Sequence, residues 1–168
     1  MDIIFETENF HVRKLKLSDF ESFHKMQSNS NVMQYVRGKA MTFKENKEEL
    51  PKLIAFYDKP DNDFWIYAVE RKEDVIFVGT IAFIKDQNKE DEMGYRFLEK
   101  YWRKGYGTEL VKGMILYCKK VGFTKLVACV VNKNVASSKI LKNIGFVFVK
   151  DFVSEDLQLP EQKFKLVL

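Results

Sequence analysis

Trp102-Arg103-Lys104-Gly105-Tyr106-Gly107-Thr108 decides how this chain is read. A basic turn with two glycines runs straight into a helical pattern: Leu110, Val111, Met114, Leu116, Tyr117, Cys118 and Val121 recur at three- and four-residue steps from Thr108 to Val121, and Gly122 stops the run. The first amides of such a helix have no internal partner and stand at the positive end of its dipole, so they can bind an anion placed before them. Gly105 and Gly107 keep side chains out of that space. The stretch predicts a seat for phosphate groups.

Around the seat, Asp91 to Leu98 predicts a strand before it and Lys125 to Val131 a strand after the helix. The two glycines alone are equally compatible with relief of crowding at a helix start. Leu110 stands where a dinucleotide fingerprint needs its third glycine, and the Walker pattern is absent, so nicotinamide cofactors and nucleoside triphosphates lose ground. Further on, Asn134-Val135-Ala136-Ser137, Ile140-Leu141 and Gly145-Phe146 predict a short helix capped by Asn134 and a strand from Phe146 to Phe152.

Length and composition suit one domain over residues 1–168, and fifteen phenylalanines predict a strongly aromatic core. No run reaches the roughly eighteen apolar residues of a membrane span, and no signal-like stretch follows Met1, so a cytoplasmic location without membrane contact is expected. Cys118 and Cys129 lack metal-ligand spacing and predict buried, reduced thiols, with no metal site. The net charge of +4 comes from lysines scattered among acids, so a solvated surface is expected rather than direct nucleic-acid binding.

Elsewhere, Phe10 to Leu15 predicts a strand, followed by two helices opened by capping boxes at Ser18/Glu21 and Thr42/Glu45, the second kinked or ended near Leu50 by Pro51. Phe64 to Glu70 and Val75 to Ile84 predict a hairpin, extended by Glu90 to Leu98, and a last strand runs from Phe164 to Leu168. The fold class is therefore α/β (α+β): a mixed, mostly antiparallel sheet flanked by helices in the order β-α-α-β-β-β-α-β-α-β.

The phosphate turn, Glu92-Met93-Gly94-Tyr95 and Asn134-x-x-Ser137…Gly145-Phe146 together resemble the GNAT superfamily of acetyl-CoA-dependent N-acetyltransferases, most closely its RimJ/RimL-like branch. Glu8-Asn9-Phe10-His11-Val12-Arg13, Ser18-Asp19-Phe20 and Val78-Gly79-Thr80-Ile81 extend the resemblance over nearly the whole chain. It implies acetyl-CoA as cofactor, with the amides of Arg103, Lys104, Gly105, Tyr106, Gly107 and Thr108 on the pyrophosphate. It also implies that the strand closed by Phe97 and Leu98 splays from its neighbour, leaving main-chain groups for the pantetheine arm, and that Asn134 caps its helix, contacts pantetheine, or does both.

Acetyl transfer to an amine needs a neutral nucleophile, donors for the oxyanion and a proton for the departing sulfur. Glu92 is the candidate base, directly or through a water, if burial raises its pKa from about 4.3. The alternative is a solvent-facing residue among the acids Glu90, Asp91 and Glu92. Ser137 is the candidate near the sulfur, or else bonds a backbone amide in its helical turn. Three positions depart from the family pattern: Leu141 replaces the tyrosine that many members place four residues before the glycine, Trp102 stands where the superfamily has Gln or Arg although aromatics are usual in the closer branch, and Arg103 replaces that branch's common glycine.

By the same resemblance, Asn31 to Gly38 and Phe43 to Tyr57 wall the amine pocket, with Tyr35, Phe56 and Tyr57 as lining; core packing accounts for these aromatics equally well. The acceptor is an amine: a ribosomal-protein N-terminus, peptide, polyamine or aminoglycoside-like small molecule. An α-amino group, with pKa about 7.7 to 8.0, offers a useful neutral fraction at pH 7. A monomer or homodimer is expected. The alternative from another class is a non-catalytic acyl-CoA-binding or peptide-binding sensor module of the same fold.

Overall fold

Short alternating runs and two long amphipathic helices determine the architecture. The computed structural model describes residues 2–168. In chain order it holds β1 (Ile3–Glu6), β2 (Phe10–Lys14), α1 (Phe20–Gln27), α2 (Ser30–Met33), α3 (Phe43–Ala55), β3 (Phe64–Arg71), β4 (Ile76–Lys85), β5 (Asp91–Phe97), α4 (Tyr106–Lys120), β6 (Lys125–Val131), α5 (Val135–Ile144), β7 (Val147–Val153) and β8 (Pro160–Val167). The eight strands form one sheet, ordered β1-β2-β3-β4-β5-β6-β8-β7. Every adjacent pair is antiparallel except β5 with β6.

The two-residue period of β5 assigns its side chains to opposite faces. Tyr95 and Phe97 meet α4, at Gly107 and Tyr106. Arg96, with Glu92 and Gly94 in step, faces α1, where it bonds Gln27. Leu110, Val111, Met114 and Cys118 pack α4 onto one face, and Phe23, Met26 and Leu50 pack α1 and α3 onto the other.

The sheet has a strand that the sequence pattern does not announce. β1 is an edge of four residues, too short to show a period, and it is held from afar. The α4 residue Glu109 accepts from Thr7 Oγ1 at 2.6 Å, and from Asn9 at 2.7 Å (N) and 2.8 Å (Nδ2). A Cβ on Gly113 would lie 2.5 Å from Thr7 Cγ2, so only glycine lets α4 settle so close.

Helix starts differ in instructive ways. Thr42 and Glu45 form the expected reciprocal cap of α3. At α1 the expected Ser18/Glu21 box gives way to Asp19: buried Arg13 holds its carboxylate with two bonds of 2.9 Å, and the carboxylate accepts from Lys16 N at 2.8 Å. Exposed Pro51 neither ends nor interrupts α3, because Leu50 and Leu53 beside it are buried in the core. In α4 the stripe is Leu110, Val111, Met114, Ile115 and Cys118, whereas Leu116 and Val121 point outward. Cys118 is fully buried, but Cys129 is only partly so.

Candidate active site

The turn between β5 and α4 is shaped by two left-handed residues, Arg103 (φ 61°) and Gly105 (φ 78°). Glycine adopts this conformation without cost, and arginine does not. The Trp102 indole donates to the Phe97 carbonyl at 3.0 Å and pins the turn to the end of β5. Among the described residues, no main-chain acceptor takes the N–H groups of Arg103 through Thr108. Six consecutive amides thus surround a helix start, a concave arrangement suited to an anion.

Arg103 and Lys104 are exposed, whereas the Tyr106 ring is packed edge-on to Phe10, 4.8 Å between centroids. Tyr106 therefore offers its amide and not its ring. A Cβ on Gly107 would meet Ile140 Cδ1 at 3.0 Å and Tyr95 Oη at 3.4 Å, so glycine is what lets α4, α5 and β5 converge. Thr108 is half-buried in the first turn.

Beside this turn the sheet opens. β5 and β6 pair only at Glu92 and Val127 and then diverge. Leu98 donates its N–H to the Val78 carbonyl at 2.9 Å. Because main-chain direction alternates along an antiparallel ladder, Arg96 and Gly94 also turn their amides to β4, while Tyr95 and Phe97 turn theirs into the gap. Of the two expected pantetheine contacts, Phe97 faces the gap through its amide, its carbonyl being taken by Trp102; the Leu98 amide is spent on β4. The gap is a cleft of about 90 Å³ lined by Gly94, Tyr95, Cys129, Asn134, Ser137 and Leu141 among others.

Asn134 caps α5, its Oδ1 accepting from Ser137 N at 3.4 Å. Ser137 Oγ meets Tyr95 Oη, which donates to it at 3.4 Å across the cleft. Burial raises the Tyr95 phenol above its ordinary pKa, with Ser137 opposing, so it carries its proton at neutral pH. Sequence reasoning passed over Tyr95 as a motif residue. The strand period places it on the wall of the cleft that Leu141 also lines.

Glu92 lies at the vertex of the splay, half-buried, on the other face. Of three adjacent acids, Glu90 pairs with Lys125 at 2.6 Å and with Lys163, and Asp91 pairs with Lys85 at 2.7 Å; Glu92 has no such partner among the described residues. The pairs hold Glu90 down to about 2. Burial pushes Glu92 upward, Asp86 and Glu161 add to the rise, and Lys163 opposes it. Glu161 is a second acid that sequence reasoning missed. It is buried opposite Val131, and only the β6–β8 register, across a separation of thirty residues in the chain, reveals it.

The expected acceptor lining divides. Tyr57 accepts from Leu15 N at 2.9 Å, donates to the Ile66 carbonyl and stacks on Tyr67, so it is a packing post. Phe56 lines a wider groove of about 610 Å³ against α3, with Arg37, Glu49 and Phe64, which shares no residue with the cleft. Tyr35 is half-buried.

Comparison with known proteins matches the same region. A family model described as "Acetyltransferase (GNAT) domain" matches residues 9–147. An uncharacterized N-acetyltransferase of Bacillus subtilis, YoaA, is 27% identical over 150 residues, covering 85% of this chain and 82% of the relative. A GNAT-family acetyltransferase structure from Bacillus anthracis superposes with a TM-score of 0.83 at 22% identity, covering 97% of both chains. A RimL ribosomal L7/L12 alpha-N-protein acetyltransferase, solved with coenzyme A, gives a TM-score of 0.83 at 13% identity, covering 99% of this chain and 98% of that one.

Proposed function

As the chain belongs to the GNAT acetyltransferase family, we propose that it moves an acetyl group from acetyl-CoA to a primary amine, on a protein N-terminus or a small molecule, by direct attack of the neutral amine on the thioester. The observation that carries this reading is the row of unpaired amides from Arg103 to Thr108 opening beside the β5–β6 gap. When bound, acetyl-CoA supplies the electrophilic carbonyl carbon and a thiolate leaving group.

The residues divide the remaining work. Amides at the α4 start hold the pyrophosphate, with Arg103 and Lys104 adding charge. The Phe97 amide and both main-chain groups of Tyr95 face the gap and offer hydrogen bonds to the pantetheine arm and the polarised carbonyl oxygen. Glu92, raised by burial, accepts the proton that leaves the acceptor nitrogen. Tyr95, bonded to Ser137, donates a proton toward the departing sulfur. One C–N bond forms and one C–S bond breaks; Glu92 gains the amine proton, the thiol gains that of Tyr95, and exchange with solvent then deprotonates Glu92 and reprotonates Tyr95.

The test pairs binding with turnover. Acetyl-CoA is expected to raise the melting temperature, and an amine panel is expected to release free thiol above the hydrolysis background. Stabilisation without thiol release from any amine would point instead to a non-catalytic acyl-CoA-binding module.

A further inference from the structure

Beneath α1 to α3 the sheet has a bare floor. Glu92, Gly94 and Arg96 follow one another along one face of β5, with Ala82 opposite Gly94 on β4. All four keep solvent-accessible surface, whereas Met93 and Phe97 on the other face are buried. A Cβ on Gly94 would meet nothing nearer than Ala82 Cβ at 4.0 Å. A carboxyl closes one end of this open strip and a guanidinium the other.

The guanidinium is incompletely used. Arg96 Nη1 donates to Gln27 Oε1 at 2.8 Å and touches Met33 Sδ at 3.5 Å. Its Nε and Nη2 make no bond among the described residues, and since no fully buried side-chain polar atom there lacks a partner, both are open to solvent. No carboxylate lies within 4.0 Å of it among the described residues. Glu49, which bonds Gln27 at 3.2 Å, is already gripped by Arg37 through two bonds of 2.5 and 2.8 Å. Desolvation pushes Arg96 down to about 10, the neighbouring Arg37 charge adds to the fall, and Glu49 opposes it from a distance. A half-buried cation whose nearest carboxylate is already gripped by another arginine is only partly compensated, and an incoming anion lowers that cost.

We propose that Arg96 determines acceptor specificity, and that the acceptor is a compact amine which also bears a carboxylate, an amino-acid-like compound with nitrogen toward Glu92 and carboxylate on Arg96. This rests on the acetyl-transfer reading and narrows its substrate class. Glu92 and Arg96 are four strand residues apart, about 13 Å between Cα atoms. The space above Gly94 between them, where a Cβ would meet nothing nearer than 4.0 Å, leaves room for a few carbon atoms. The carboxylate is a spectator; the nitrogen gains the acetyl carbon as sulfur leaves. Polyamines and aminoglycosides would set a second cation against Arg96, which repels it.

The experiment measures thiol release from acetyl-CoA with free amino acids, the corresponding carboxamides and spermidine. Acids are expected to exceed their amides in kcat/KM by about 10- to 100-fold, as for loss of a charged hydrogen bond at a built site. Arg96→Gln should bring that ratio close to one and leave the acetyl-CoA KM unchanged, and Arg96→Lys should restore part of it. A purely structural arginine would lower all acceptors together. Amides or spermidine reacting as fast as the acids in the unaltered protein overturn the assignment and leave acetyl transfer standing. No thiol release from any acceptor, with no stabilisation by acetyl-CoA, overturns both.

Discussion

The two sides of the β5–β6 gap are built by different means. On the α4 side the candidate site is main chain: amides exposed by two left-handed residues and kept clear by Gly107. On the α1 side it is side chains, Glu92 and Arg96 on one strand, met by Gln27, Met33 and Glu161 from three distant segments. A backbone site tolerates changes of side chain but not of shape. A side-chain site responds in the opposite way.

The sharpest break of that contrast is at Gly107. Gly107→Val adds a branched side chain where a single Cβ already lies 3.0 Å from Ile140 Cδ1. We expect kcat/KM for acetyl-CoA to fall by about 100-fold or more and the thermal shift on CoA addition to vanish, with the circular dichroism spectrum retained. Wild-type stabilisation by CoA in this variant would remove the turn from the site.

Legibility in the sequence follows the same division. The α4 side is contiguous: strand, glycine turn, helix and the Asn134 cap lie within about one βαβ unit, whose local signals are read in order. The β5 period was likewise visible, and it yields Glu92. The α1 side was not, because Gln27 reaches Arg96 only through the packing of α1 and Glu161 nears Glu92 only through the β6–β8 register. β1 was hidden for a related reason: its four residues carry no period of their own, and the turn that follows them, Thr7 and Asn9, is held by Glu109, about one hundred positions away. Asp19, not Ser18, stands at the N-cap of α1, and its carboxylate serves buried Arg13, which pairs with Glu70 as well, rather than an α1 amide.

The next largest effect tests the side-chain half. Glu92→Gln should reduce kcat/KM by roughly 10- to 100-fold, the usual contribution of a general base. The pH profile carries more information. A base must be deprotonated, so the rate of the unaltered protein should fall as pH drops through the raised pKa of Glu92, and that acid limb should be lost in the variant. Stability moves the other way. A carboxyl raised in the folded state binds its proton more tightly there than when unfolded, so folding loses stability as pH rises from the ordinary Glu value through the raised one. At pH 7 Glu92→Gln should therefore melt no lower than wild type. Full turnover across pH would leave Glu92 a strand residue only.

A smaller, salt-sensitive effect belongs to the rim of the backbone site. Arg103→Glu with Lys104→Glu should weaken CoA by roughly 10- to 30-fold at low ionic strength and by less at high salt, because both side chains are exposed and screened. Unchanged affinity would mean that the amides alone bind the diphosphate.

The finest distinction is within Arg103 itself, whose charge favours phosphate while its left-handed backbone opposes folding. Arg103→Gly separates the two. Glycine relieves an αL conformation at a cost of about 1 kcal/mol for other residues, partly offset by its greater freedom when unfolded, so a gain of roughly 0.5 kcal/mol is expected. CoA affinity should fall by only about two- to fivefold, less than for charge reversal, because the amides keep their positions. If stability instead drops with affinity, the arginine side chain has a contact that its exposure does not suggest. If both are unchanged, the strain is absorbed elsewhere in the turn, with Gly105 as the neighbour free to move.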